Sequence, residues 1–246
     1  MKEPGASAYR ADLAYIHDAG FGDFARHGAA AVLELLHRQR VRSGLVVDLG
    51  CGSGILAEAL SRSGFDVLGF DISRAMVELS RQRVPAAEFR HASFLTARLP
   101  RCVAVTAVGE IFNYLFDKEN TPARLGQLFR RVFAALEPRG LFVFDVALVG
   151  RVPEGRRRSY TEAADWACLF EAEEDRVRKT LVRRITSFRK VGDLYRRDDE
   201  VHRLRLYERA ELLKRLRHAG FRAGTVKAYG ELRFPPGYLG FVARKP

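Results

Sequence analysis

Five residues early in the chain, Asp48, Gly50, Gly52, Gly54 and Asp71, have types and spacing suited to holding a small polar ligand. The glycines alternate with Cys51 and Ser53, directly after a short apolar run. Where a strand turns into a helix, the helix start offers unpaired N–H groups and a partial positive charge. Glycines there let a ligand approach the backbone closely. An acid ending the next strand can accept two hydroxyl hydrogen bonds from a ribose. Asp71 stands in that place, 17 residues after Gly54. The dinucleotide pattern G-x-G-x-x-G does not fit, because its third glycine position is Ile55. Asp48 beside the turn repels phosphates and suits a ligand with a cationic amino or sulfonium group. No GxxxxGK[ST] loop occurs.

Alternating strands and helices must bring these residues together. Residues 22–40 read as an amphipathic helix. Residues 44–50 form a short apolar run, as in a strand buried on both faces. Residues 53–64 predict a helix closed by Gly64, 65–71 a strand, and 73–83 a helix capped by Ser73. Strands are expected at 87–91 and 102–109. Within 121–140 a helix starts at Thr121-Pro122, with Pro138-Arg139-Gly140 after its end, and 141–147 is another buried strand. This alternation predicts a parallel sheet with helices on both faces. After Gly150 the pattern changes. Residues 151–159 read as a basic linker, followed by three antiparallel strands at 165–173, 177–190 and 193–207. A helix at 208–221 and two strands within 222–246 complete the chain.

The 246 residues, 47% hydrophobic, accommodate one large α/β domain or a domain with an insertion. No apolar run reaches the roughly 18 residues of a membrane span, and the N-terminus lacks the apolar core of a signal peptide. Cys51, Cys102 and Cys168 are too few and scattered for a disulfide framework or a CxxC metal site. These features predict a cytoplasmic protein with free thiols and no membrane partner. The net charge is +12. Residues 1–150 hold 18 Lys and Arg against 16 Asp and Glu; residues 151–246 hold 24 against 14. Such an excess can attract nucleic acid or acidic substrates, or can be a solvated face of an arginine-rich chain.

The segment VVDLGCGSG resembles motif I of class I S-adenosylmethionine-dependent methyltransferases, and LGFDIS resembles their second-strand acidic motif. LYERAELLKRLRHAGF resembles the segment ahead of that family's last two strands. The resemblance implies a Rossmann-like, doubly wound, mostly parallel seven-stranded sheet with an antiparallel last strand. It assigns residues 1–150 and 206–246 to the cofactor-binding domain and 151–205 to a small inserted antiparallel sheet, an acceptor lid or homodimer contact. The implied cofactor is S-adenosylmethionine, with S-adenosylhomocysteine as product. By position, Gly50, Cys51, Gly52 and Gly54 approach its methionyl part and ribose through backbone, and Asp48 orients its amino group. Asp71 takes the ribose hydroxyls, and Ile72 packs on the adenine. Ser93 replaces an acid usual in the family and is followed by Phe94; both are expected at the adenine. Val108 and Gly109 lie under the methionyl moiety, and Tyr9 matches an aromatic that closes over the cofactor. The Cys51 thiol is expected to pack rather than react.

Methyl transfer from a sulfonium chiefly requires alignment and exclusion of water, with a base only where the acceptor is protonated. Acceptor candidates therefore come from position. In residues 109–117, Glu110 is a candidate base or partner for a cationic acceptor, or simply a helix-start acid. Asn113 and Tyr114 are candidate substrate contacts, or turn and packing residues. Tyr15 and His17 lie on an expected N-terminal lid, with His17 a second candidate base or a structural histidine. Trp166, the only tryptophan, is a candidate acceptor contact or a core residue. His202 and the arginines near it suit an anionic acceptor or a solvated face. The absence of [DNS]PP[YFW] argues against a DNA-base acceptor, and no cluster has metal-ligand spacing. The expected reaction is methyl transfer to N or O of a small molecule; the alternatives are an RNA or protein acceptor and a non-catalytic scaffold.

Overall fold

A computed structural model describes residues 8–246; residues 1–7, which the sequence assigns to the first domain, lie outside it. Helix α1 (Ala11–Gly20) and helix α2 (Asp23–Arg38) precede strand β1 (Gly44–Leu49). Helix α3 (Ile55–Arg62), β2 (Phe65–Asp71), α4 (Arg74–Arg83), β3 (Glu88–His91) and β4 (Cys102–Ala107) follow. The chain then passes through one 3-10 turn (Ile111–Asn113), α5 (Pro122–Ala135) and β5 (Leu136–Ala147). Four antiparallel strands come next: β6 (Arg156–Ala163), β7 (Trp166–Asp175), β8 (Thr180–Val191) and β9 (Leu194–Arg205). Helix α6 (Arg209–His218), β10 (Arg222–Val226), the short β11 (Ala228–Tyr229) and β12 (Leu232–Arg233), and β13 (Tyr238–Arg244) end the fold.

The main sheet has seven strands in the order β10-β13-β5-β4-β1-β2-β3. Its pairs are parallel except those of β13, which runs against both β5 and β10. The doubly wound sheet with an antiparallel last strand is thus as expected. Buried side chains of α5 and α6 cover one face, including Leu128, Phe129 and Leu216; those of α2, α3 and α4 cover the other, including Val32, Leu60 and Val77. Local signals set the helix starts. Ser73 Oγ accepts the Met76 N–H at 3.2 Å, and Thr121 Oγ1 accepts that of Arg124 at 3.2 Å, with Pro122 in the first turn.

The sequence reading expects two strands after α6, whereas the structure has four, with β11 and β12 forming a small sheet of their own. Two earlier boundaries also differ. Helix α5 stops at Ala135, and β5 begins at Leu136, before Pro138. Residues 156–163 are strand β6 rather than linker. That strand is the edge of its sheet and mostly exposed, so no apolar alternation marks it. The four-stranded sheet packs on the main body through two apolar seams. One joins α1 to Trp166, Cys168 and Ile185; the other joins the end of β5 to Leu181 and Leu204. No helix among the described residues is long and apolar enough to cross a membrane.

Candidate functional site

The carboxyl ends of β1, β2 and β4 converge on a cavity lined by Asp48, Gly50, Cys51, Gly52, Asp71, Ile72, Phe94, Val108 and Gly109, with Tyr9, His17 and Tyr114 closing it. Parallel strands put their C-terminal ends, and the loops after them, on this one edge, where ligands of open α/β sheets sit. The turn after β1 is bonded to β2: the Gly50 and Cys51 N–H groups donate to the Phe70 carbonyl at 2.7 and 3.0 Å. Gly52 has φ +54°, and a Cβ built there meets nothing within 4 Å. The turn thus presents bare backbone to the cavity.

Three acidic residues line this cavity, Asp48, Asp71 and, at its rim, Asp117. Asp71 accepts the Gly52 N–H at 2.9 Å and the Ser73 N–H at 2.8 Å, and burial raises its pKa. Asp48 is 2% exposed and accepts the Thr106 hydroxyl at 2.7 Å. Burial lifts its carboxyl to about 7, against the smaller opposing effect of that hydrogen bond. An enclosed carboxyl so poised gains most from a cationic neighbour. The Cys51 thiol is buried and raised well above its ordinary pKa by desolvation, so it is packed and unreactive.

A second cavity opens between this edge and the four-stranded sheet. It shares Tyr9, His17, Val108, Gly109 and Tyr114 with the first, and adds Glu110, Arg151, Arg157, Arg183 and His202. The loop between them is fixed by Asp145 at the end of β5. This buried carboxylate accepts the Gly109 N–H at 3.0 and 3.1 Å, the Glu110 N–H at 2.7 Å, the Tyr229 hydroxyl at 2.9 Å and the Tyr238 hydroxyl at 2.5 Å. Burial raises it to about 6. Glu110, at φ +61°, points its carboxylate at Arg183 (2.7 Å) and Arg151 (3.4 Å).

At the junction, the Tyr9 and Tyr114 hydroxyls lie 3.0 Å apart. The Tyr9 ring stands 4.9 Å from His202 and 5.2 Å from His17, centroid to centroid. Desolvation pushes His17 down to about 4, so its imidazole is neutral at pH 7. His202, 1% exposed, bonds Glu200 Oε2 through Nε2 at 2.8 Å. The Nδ1 atoms of both histidines are buried and unpartnered among the described residues.

Six sequence candidates stand elsewhere or act otherwise. Gly54 is not on the cavity; a Cβ there would meet Ser80 of α4. Ser93 spends its hydroxyl on the Leu95 N–H at 3.1 Å and also lies off the cavity wall. Asn113 is fully buried and lines neither cavity: its Nδ2 donates to the Ala147 and Arg205 carbonyls, and its Oδ1 accepts the Ala147 N–H at 3.1 Å. Trp166 packs against Leu13 and Ile16, outside both cavities. Tyr15 donates to Asp165 at 2.6 Å, with the Arg189 guanidinium over its ring. Glu110 lines the second cavity, but its carboxylate is engaged by the guanidiniums of Arg183 and Arg151. His202, open to a solvated-face reading by sequence, is instead buried. Asp145, Arg183 and Glu200 carried no sequence signal as site residues. An acid ending β5, at the same sheet edge as Asp48 and Asp71, was the one available hint for Asp145.

Residues 46–140 match the family described as a methyltransferase domain. A putative methyltransferase of Bacillus subtilis is 26% identical over 194 residues, covering 75% of this chain and 76% of that protein. Among solved structures, an S-adenosylmethionine-dependent methyltransferase from Clostridium acetobutylicum superposes with a TM-score of 0.79 at 19% identity, over 95% of this chain and 97% of its own. An amino pentose methyltransferase from Micromonospora echinaspora, solved with S-adenosylmethionine bound, gives 0.76 at 20% identity, over 94% and 97%.

Proposed function

We propose that this chain, whose residues 46–140 match a methyltransferase domain, is a class I S-adenosylmethionine-dependent methyltransferase that methylates a nitrogen or oxygen of a small molecule held in the second cavity. The observation that carries this reading is the pair of cavities sharing one wall, Tyr9, His17, Val108, Gly109 and Tyr114. The first cavity fits the cofactor on its own geometry. Gly52 leaves room where a side chain would stand, and Asp71 keeps lone pairs for hydroxyl donors beyond its two backbone bonds. Ile72, Met76 and Phe94 offer apolar surface for a flat ring, and Asp48 faces the cavity as a partner for an ammonium group. When bound, S-adenosylmethionine supplies an activated methyl group.

The chain's own residues then bind, align and shield. Asp145 fixes the Gly109–Glu110 backbone, and so the floor on which the two ligands meet. Tyr9, Tyr114 and Phe116 close the junction with aromatic surface, which excludes water. His17, neutral and on the shared wall, has a ring Nδ1 without a partner among the described residues and is placed to hydrogen-bond a hydroxyl or amino group of the acceptor. In-line displacement needs alignment above all, which the shared wall supplies.

A small acceptor also accords with the surface charge. On the outer face of the four-stranded sheet, Arg156 and Arg158 pair with Glu171, Arg184 with Glu173, and Arg197 with Asp199. These four arginines meet three carboxylates, so this face offers a polyanion few free guanidiniums among them, although the excess of ten basic residues over 151–246 remains. The test is mass-spectrometric detection of methylated products from metabolite extracts, alongside bulk tRNA and unmodified protein, with S-adenosylmethionine. Methylated small molecules are expected. Label confined to RNA or protein would refute the reading.

A further inference from the structure

The second cavity is charged asymmetrically. Its charged lining side chains are three guanidiniums, Arg151, Arg157 and Arg183, and one carboxylate, Glu110. Glu110 is already held by Arg183 at 2.7 Å and Arg151 at 3.4 Å, both about one-fifth exposed. No described carboxylate lies in ion-pair reach of Arg157, whose neighbours Arg156 and Arg158 both pair with Glu171. Strand alternation explains the split. Arg156 and Arg158 point to the outer face, and Arg157, Ser159 and Thr161 point into the cavity. In a partly enclosed site, an uncompensated guanidinium beside a pair already bonded to one carboxylate favours an anionic guest.

The other end of the cavity has different needs. His202 is bonded to Glu200 through Nε2 and keeps a buried Nδ1 without a partner among the described residues, and His17 Nδ1 is likewise unpartnered there. Buried polar atoms are rarely left so, and here they flank Tyr9 on the wall next to the cofactor cavity. A hydroxyl or amino group on the acceptor, able to donate or accept, would satisfy them.

We propose that the methyl acceptor is a two-ended small molecule. Its protic end, an O–H or N–H, lies at the Tyr9–His17–His202 wall, and its other end is an anion, a carboxylate or phosphate, held by Arg157 with Arg151 and Arg183. This rests on the small-molecule reading above. Arg157 is the selective element, because its charge is unspent; Arg183 chiefly holds Glu110 and touches the Tyr114 hydroxyl at 3.4 Å. Planar guanidiniums bind carboxylate and phosphate oxygens in pairs, so orientation as well as charge is set.

The test is calorimetry on the full chain saturated with S-adenosylhomocysteine, with benzoate, phenyl phosphate, benzyl alcohol and benzylamine as probes. At least one anion is expected to bind about tenfold or more tighter than benzyl alcohol, and benzylamine more weakly than the alcohol. Whichever anion binds tighter identifies carboxylate or phosphate. Arg157→Gln should weaken anion binding about fivefold or more, and added salt should weaken it in the parent protein. Arg158→Gln, which alters the outer face of the same strand, should change it less than about twofold, as for an exposed pair. Arg157 is exposed, so its variant should fold, and the melting temperature checks this. Anions binding no better than benzyl alcohol, or an Arg157→Gln protein binding them undiminished, would overturn the inference while leaving the small-molecule reading in place. Methylation of RNA or protein alone would overturn both.

Discussion

Asp48 makes cofactor binding a titration. Its carboxyl ends β1 inside the sheet, and burial lifts it to about 7 in the ligand-free protein. A cation in the adjoining cavity favours the ionised form, so binding must draw a proton off Asp48 at any pH where it is still held. At pH 6, one unit below the free value, that costs about 1.4 kcal/mol; at pH 8 it costs almost nothing. The dissociation constant for S-adenosylhomocysteine should therefore be about tenfold weaker at pH 6 than at pH 8. Calorimetry in two buffers of different ionisation heat should count nearly one proton released at pH 6 and almost none at pH 8. Stability without ligand follows the opposite sign. A carboxyl raised on folding stabilises below its unfolded pKa, near 4, and that contribution is lost as pH rises through about 7. Asp145, raised to about 6, acts in the same direction, so Asp48→Asn is the variant that separates them. An affinity flat between pH 6 and 8 with no proton release, or a slope that survives in Asp48→Asn, would refute the reasoning.

Other substitutions test other parts of the site. Asp71→Ala removes the charged acceptor for two hydroxyls and should weaken S-adenosylhomocysteine binding by about 2–4 kcal/mol by calorimetry; unchanged affinity in a folded variant removes the ribose assignment. Gly52→Val places a branched side chain in the open space beside the turn. It should abolish measurable binding while lowering stability by only about 1–3 kcal/mol, the cost of a strained positive φ; a variant that still binds contradicts the close approach. Asn113→Ala deletes three buried hydrogen bonds and should cost about 2–4 kcal/mol in denaturant unfolding, with cofactor affinity little changed. An unshifted midpoint would return Asn113 to the list of acceptor contacts.

What could be read in the sequence was local. The runs at 44–50 and 65–71 are apolar because both faces of those strands are covered, and Asp48, Gly52 and Asp71 share one turn and its neighbouring strand. Their placement needs no long-range information. Strand β6 escaped because its three arginines alternate between a solvated outer face and a polar cavity, so no apolar period exists. Trp166 and Asn113 are candidates by their place in the chain, and that place does not say which face of a strand, or which carbonyl, a side chain meets. Arg183 and Glu200 acquire their roles only from the register of β8 and β9, which pairs Arg183 with His202 across the sheet.

That register also explains how one short segment serves both cavities. Glu200 accepts the backbone N–H groups of Tyr9 and Arg10 at 3.1 and 2.7 Å, so the four-stranded sheet holds the residue that closes the cofactor cavity. On its other side, the Tyr9 carbonyl accepts the hydroxyl of Ser73 at 2.9 Å, and the Ser73 N–H in turn bonds Asp71. Tyr9 is therefore tied at once to the second cavity, through Glu200 and His202, and to the first, through Ser73 and Asp71. With three donors already directed at its carboxylate, Glu200 is occupied in holding Tyr9 and His202.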